Sequence, residues 1–576
     1  MAQIFFLFGT WIYSSLMHFM WLSQRSSPPL GNGITYILKG MYFCEKFPTI
    51  PFVKMLGLII SNEGNRDLVC APYSPFVDLV YWVYYRFCGI ASEHELIVNM
   101  LFVGIAMWSI YTYSRLFFPK VTGFLAAIIF TALPGVLLYS KTGFLEFHIM
   151  CLVLIPLYFL EKSDGFSVRE QALMCGITSG MLFMIKWESA LFLGMPFLVA
   201  CIRAVRERKD IRWIGNFFLM FVCAAIVGGW WYFVNAREFF AILQQRMPGQ
   251  RVGDLAFGLH DVSYYITCLA PRLVTPMERR LLLVVFIVLI IRTIVFWKDK
   301  TKTQGMWLLS LYVVFPFLVF SAICVKDDTH ILPCLPFFAI MFSEAVRWIY
   351  VKKIRYIVTG LFILHAFAAP FVLFIPYPEE NTTKDAVYRQ RILSHFFLRN
   401  YNDALYLLPK KEDWSTVLEG IITFIHDDFV QSGLREKIHT DRPTLLVIAN
   451  NEPVRYWQLQ YYNMKMGSPL VLNHSLYGAV RLTPIAAVLN GNNAKFPYIL
   501  METPIEFKHS PPNEDRLFHA VENLIEQNRA MFDRRYEMLF KRKLLRGTEL
   551  SLYRMRILLD NNNQHKKKND KLAEQQ

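Results

Sequence analysis

The chain has 576 residues, of which 54% are hydrophobic, 16% aromatic and only 18% charged. With a mean hydropathy of +0.32 it is too apolar for a water-soluble protein of this length, which excludes a soluble enzyme and a wholly disordered chain. Its formal net charge of +15 sits largely in short loops between apolar runs and in the last residues, which membrane topology explains and nucleic-acid binding does not.

Apolar runs of the roughly 17 to 25 residues that cross a hydrocarbon core occur near residues 4–22, 96–118, 121–139, 145–160, 171–185, 189–204, 213–235, 281–297, 305–324, 331–349 and 355–376. No basic stretch precedes Ile4 and "SQRSSPP" offers no small-x-small cleavage site, so the first run reads as a span rather than a signal peptide. Lys and Arg collect in "RAVRERKDIRW", "RTIVFWKDKTKTQ" and "RWIYVKKIRY", which places these loops in the cytoplasm. Residues 23–95, 140–144, 186–188, 236–280 and 325–330, and everything after Tyr377, then face outward.

The first outer loop contains "TYILKGMYFCEKF" and "SPFVDLVYWVYYRFCG", whose density of Tyr and Trp suits helices lying in the membrane interface. In "LYSKTGFLEFHIM", Glu146 and His148 open the fourth span. A carboxylate there is costly unless it faces a cavity or a partner, and the competing reading leaves it in the headgroup region. The outer loop 236–280 supplies His260 and Asp261. "CVKDDTHILPCLP" sets Lys326, Asp327, Asp328 and His330 between two long apolar runs. The ten cysteines are scattered, none after Cys334, and show neither a disulfide framework nor a metal pair.

After Tyr377 the composition turns polar, with "PYPEENTTKD" as a linker. Residues 385–555 read as a soluble α/β domain in which "PTLLVIANN", "EPVRYWQLQYYNMKM" and "SPLVLN" make a strand, a helix and a strand, without a Gly-rich phosphate loop. Residues 556–576 form a charged, low-complexity, disordered tail. The expected architecture is an all-α polytopic bundle of about eleven spans over residues 1–378, with interfacial helices in its first outer loop, followed by that extracytoplasmic domain.

The order of these features resembles the C-type superfamily of integral-membrane glycosyltransferases, in the branch of the protein O-mannosyltransferases and the lipid A aminoarabinose transferase. The resemblance covers residues 1 to about 350 and rests on a Pro-aromatic helix ending in "FCG", two spans joined at "RLFFPK", and a Tyr-Ser-basic turn before an acid. "MLFMIKWESALF" is similar to the family's "LTKGPAALL" turn, "GGWWYFVNAREFF" to its "PWY" span end, and "SAICVKDDTHILPCLPFFAI" to its "SKxPHYLLPLLPAL" element.

The resemblance implies an enzyme that takes a sugar from an undecaprenyl or dolichyl phosphate carrier and transfers it to an acceptor hydroxyl of a protein, lipid or glycan on the outer face. It implies that Lys326 contacts the donor phosphate, with His330 orienting it and Lys141 as a second phosphate contact, and that Glu146 is the family's second acidic residue. The family's first acid falls where this chain reads "SSPPLGNGITYIL", and Asn32 there cannot accept a proton. Either Glu146 serves alone as the base, or Glu45, Glu63, Asp67 or Asp78 substitutes, or the chain binds lipid phosphate without transferring sugar. A polytopic transporter is the rival from another class, but the chain shows no internal repeat. Asp327 and Asp328 could hold a divalent cation; a salt bridge to Lys326 is the simpler reading, and no metal site is assigned. The plasma membrane is the expected location and the endoplasmic reticulum the alternative, in which Asn381 and Asn473 would be glycosylation acceptors.

Overall fold

A computed structural model of the protein describes residues 1–23, 34–46, 74–90, 94–207, 211–236, 273–274, 278, 280–281, 283–285, 287, 300–322, 328–372, 414–432, 434–438, 440–448, 456–474, 497–503, 530, 532–533, 536–543 and 549–555. Of the residues singled out above, Asn32, Glu63, Asp67, His260, Asp261, Lys326, Asp327 and Asn381 lie outside them, as do the linker and the tail. The chain forms two compact units, one running to Lys411 and the other starting at Glu412.

The first unit is helical: α1 (Ala2–Ser23), α2 (Ile34–Lys46), α3 (Phe76–Cys88), α4 (Val98–Ser114), α5 (Lys120–Ala132), α6 (Pro134–Tyr139), α7 (Leu145–Leu152) and α8 (Leu154–Lys162). There follow α9 (Arg169–Ile185), α10 (Ser189–Glu207), α11 (Arg212–Ala224), a π-turn at Ala225–Gly229, α12 (Trp230–Val234), α13 (Lys300–Ala322), a 3₁₀ segment at Asp328–Cys334, α14 (Leu335–Arg347) and α15 (Lys352–Val372). Six stretches of the described residues are long and apolar enough to cross a bilayer: Ala2–Ser23, Glu95–Ser114, Ser189–Glu207, Arg212–Val234, Thr329–Arg347 and Lys352–Phe371. This is a multi-pass membrane protein.

Several of the eleven apolar runs are not single helices, and prolines explain two of the breaks. Leu133 takes an extended conformation (ψ 130°) ahead of Pro134, as a residue before proline prefers, so the run 121–139 splits into α5 and α6. Pro156 has no N–H to offer the Leu152 carbonyl, and the run 145–160 is interrupted at Val153. The run 281–297 lies mostly outside the described residues.

Close approach of backbones fixes two crossings. Gly176 and Gly180 lie one turn apart on α9, against α11 and the π-turn; a Cβ on Gly180 would sit 2.7 Å from Val227 Cβ, and one on Gly176 would strike the Met220 carbonyl. Small residues at such spacing are the usual means of bringing membrane helices together. Likewise α2 crosses α3 at Gly40, where a Cβ would lie 2.6 Å from Tyr81 Cβ. The two short helices then bury Phe43 and Trp82 with Met184 and Trp231, from the ends of α9 and α12. Elsewhere Glu161 binds Arg203 at 2.9 Å and accepts from Tyr312 at 3.2 Å, joining α8 to α10 and α13. Glu344 accepts from Thr122 at 3.0 Å, joining α14 to α5, and is paired with Arg347.

The second unit holds α16 (Trp414–Gln431), α17 (Leu434–Ile438), β1 (Thr444–Ile448), α18 (Tyr456–Lys465), β2 (Val471–His474), β3 (Tyr498–Thr503), β4 (Tyr536–Lys543) and β5 (Glu549–Met555). The sheet order is β2-β1-β3-β5-β4, parallel among the first three strands and antiparallel thereafter. The expected strand-helix-strand unit is β1-α18-β2, and Asn463 clamps its turn by donating to Leu470 O at 2.9 Å and accepting from Leu470 N at 3.0 Å. Asp428 on α16 accepts from Tyr498 and from Arg554, both at 2.6 Å, which ties the helix to β3 and β5.

Candidate active site

Charged side chains converge where the ends of α7, α9 and α10 meet. The chain is extended at Phe144 and turns into α7 one residue before Glu146, so that carboxylate lies in a first helical turn, where exposed N–H dipoles favour negative charge. At the other side α9 ends at Ile185, Lys186 is extended (φ −160°, ψ 135°), and α10 begins at Ser189. That corner turns Lys186 inward. Its Nζ lies 2.6 Å from Glu146 Oε1 and 3.1 Å from Glu188 Oε1, and all three side chains are buried or nearly so. Burial pushes the Glu188 carboxyl above the ordinary glutamate range, and Lys186 pulls against it. Two carboxylates share one ammonium, so the cluster can accept a proton or offer an N–H to an anion.

The interfacial helices bring a second buried pair. Asp78 on α3 is 1% exposed, with Lys39 of α2 3.5 Å away, an ion-pair distance longer than a tight hydrogen bond. Desolvation raises the Asp78 carboxyl to about 6, with Lys39 acting in the opposite direction. Ser74, just before α3, donates to the Met184 carbonyl, two residues from Lys186. Tyr81, also on α3, donates to Asn99 Oδ1 at 3.4 Å, and Asn99 Nδ2 in turn donates to the carbonyls of Ser140 and Thr142, both at 2.8 Å. Asn99 thus fixes the turn that carries Lys141.

The expected site residues are treated differently by the fold. Glu146 and Asp78 are buried in charged clusters, whereas Glu45 is exposed at the end of α2. His330 sits in the 3₁₀ segment that packs on α7, its ring stacked on Phe320 with centroids 5.0 Å apart. Lys141 is buried over the Trp21 ring, 4.8 Å from its centroid, and burial pulls its ammonium well below the usual lysine range. It lines a cavity to which neither Glu146, Lys186, Glu188 nor His330 contributes. Lys39, Asn99, Lys186 and Glu188 were not singled out from the sequence. The signal for two of them was present: "KWE" is a charged triplet inside an otherwise apolar stretch. Among the described residues no three His, Cys, Asp or Glu side chains gather to hold a metal ion.

No protein-family model and no curated protein matches the chain. Solved structures do. ArnT from Cupriavidus metallidurans bound to undecaprenyl phosphate matches with a TM-score of 0.53 at 13% identity, over 96% of this chain and 98% of that one. Its apo state matches at 0.52 and 12%, with the same coverage. The chain has the C-type membrane glycosyltransferase fold. At this identity the likeness speaks for the fold alone. Within the C-type fold, the Glu146–Lys186–Glu188 corner and the Asp78–Lys39 pair are what this chain's own residues contribute.

Proposed function

We propose that the protein transfers a sugar from a polyprenyl phosphate carrier to an acceptor hydroxyl on the extracytoplasmic face of the membrane. The observation that carries this reading is the buried carboxylate of Glu146, held 2.6 Å from Lys186 in the C-type fold. ArnT, which shares that fold, is known in a form bound to undecaprenyl phosphate.

In this reading Glu146 takes the proton from the acceptor hydroxyl as its oxygen attacks the anomeric carbon and the bond to the carrier phosphate breaks. The departing phosphate then carries the negative charge, which a positioned cation stabilises. Lys326 and His330 supply that contact, and Lys186 can turn an N–H toward it once Glu146 is protonated. Asp78 is the substitute base: its carboxyl, raised to about 6, is poised to accept a proton near neutral pH. The second unit selects the acceptor. The plasma membrane is the proposed location, and protein O-mannosylation is one form the transfer could take.

A second reading is a relative that binds lipid phosphate without chemistry, and what favours it is that Lys186 already occupies Glu146. Transfer of labelled sugar by the native chain, from a panel of polyprenyl-phosphate donors in membranes, separates the two. Labelled product supports transfer; carrier binding without product supports the second reading.

A further inference from the structure

The corner that turns Lys186 inward is not held by α9 alone. A helix leaves its last carbonyls without partners of its own. Lys186 N donates to Leu182 O at 3.1 Å, which closes the final turn of α9. Beyond it, hydroxyls from two other elements take over: Tyr232 on α12 donates to Phe183 O at 2.7 Å, and Ser74 donates to Met184 O. Two successive carbonyls, three and two residues ahead of Lys186, are therefore answered from outside the helix.

Ser74 is suited to this task. It precedes Pro75, which restricts the backbone before it to extended forms, and Pro75 caps α3 without a side-chain hydrogen bond. A serine this close to a helix start commonly bonds that helix's own N–H groups. Here the hydroxyl reaches a different helix instead. Ser74 is 1% exposed and Met184 8%, and a buried carbonyl that loses its donor is costly. The Met184 side chain is gripped by the same neighbours, packed with Phe43 of α2, Trp82 of α3 and Trp231 of α12. Because Asp78 follows Ser74 by four residues, one hydroxyl ties the Asp78–Lys39 pair to the corner that carries the Glu146–Lys186–Glu188 cluster.

We infer that Ser74 and Tyr232 are positioning residues: by answering the last carbonyls of α9 they set Lys186 Nζ against Glu146 and Glu188. Each acts through the backbone of the corner. That this placement serves catalysis rests on the proposed sugar transfer; the placement itself does not.

The full chain in phosphatidylcholine nanodiscs is treated briefly with acetic anhydride, and acetylation of Lys186 is followed by mass spectrometry. Ser74→Ala and Tyr232→Phe each remove one hydroxyl, while Val77→Ala, at a buried position on α3, removes packing and leaves both hydroxyls in place. Lys186 should be acetylated severalfold faster in the two hydroxyl variants and at the native rate in Val77→Ala. In the same preparations, kcat for sugar transfer per folded molecule should fall about tenfold in the hydroxyl variants, with the donor KM within about twofold of native. Tyr232→Phe keeps the test decisive should Ser74→Ala not fold. Native acetylation in either folded hydroxyl variant, equally fast acetylation in Val77→Ala, or a native kcat in either hydroxyl variant of an active chain overturns the inference. A native chain that transfers no sugar defeats the transfer reading alone, and the acetylation rates then decide the positioning.

Discussion

Lys186 Nζ and Glu146 Oε1 are separated by 40 residues in the sequence and by 2.6 Å in the fold. The pair closes α7 against the corner between α9 and α10, with Glu188 as the third member at 3.1 Å. Removing one member of a buried pair is costly because a charge is left behind. The two removals are not equivalent here. Lys186→Met strands two carboxylates and should cost about 3–5 kcal/mol, whereas Glu146→Gln leaves Lys186 its contact with Glu188 and should cost about 1–2 kcal/mol. Reversible unfolding in mixed micelles measures both, and equal losses would contradict the shared-ammonium arrangement.

Asp78 gives a pH prediction with a defined sign. Its carboxyl is raised from 3.8 to about 6, chiefly by burial. Between those values the folded state holds a proton that the unfolded state has released, so stability is greatest below about pH 4 and falls as pH rises through about 6. Melting temperatures from pH 4 to 7 should show this fall in the native chain and lose it in Asp78→Asn. Lys39→Met removes the group that opposes the shift and should move the midpoint upward. A midpoint that stays in place would mean that the ion pair at 3.5 Å has no electrostatic weight.

Gly180 should tolerate no side chain. Val227 and the Ala224 carbonyl lie where its Cβ would go, and the nearest of these atoms belongs to a stiff β-branched residue. Gly180→Leu should therefore part α9 from the α11 segment and lower transfer activity along with stability, because α9 ends at Lys186. Gly194 has nothing within 4 Å of its missing Cβ and serves as the control. Activity and yield of the two variants, measured side by side, check the assignment.

Much of the fold could be read from the sequence, because the bilayer requires long apolar runs and basic cytoplasmic loops. Glu146 was legible as an acid in a place where an acid is expensive, whereas Asp78 could be read only as one of four substitute bases in the first outer loop. Lys186 escaped because its partner lies 40 residues away, and a single sequence carries no sign of that pairing. The positions of Pro134 and Pro156 could be read, but not that α5 and α6, or α7 and α8, would remain separate helices. Asn99 was hidden for another reason: it lies in an apolar span, and its role is to hold the carbonyls of Ser140 and Thr142, an interaction independent of the side chains at those positions.

Asn99→Ala should cost about 1–3 kcal/mol by leaving those buried carbonyls and the Tyr81 hydroxyl without their partner. Asn99→Asp should cost more, since a carboxylate would face two carbonyl oxygens. Thermal unfolding of the two variants checks the order, and an Asp variant as stable as the native chain would place the turn's support elsewhere.

The central claim is that Glu146 accepts the acceptor's proton during sugar transfer. It is tested most directly by comparing, in the same membranes and at equal folded yield, the rate at which the native chain and Glu146→Gln move labelled sugar from a polyprenyl-phosphate donor pool to acceptor. The account predicts transfer by the native chain and a fall of about 10²-fold or more in the variant. A variant that transfers at the native rate would contradict it.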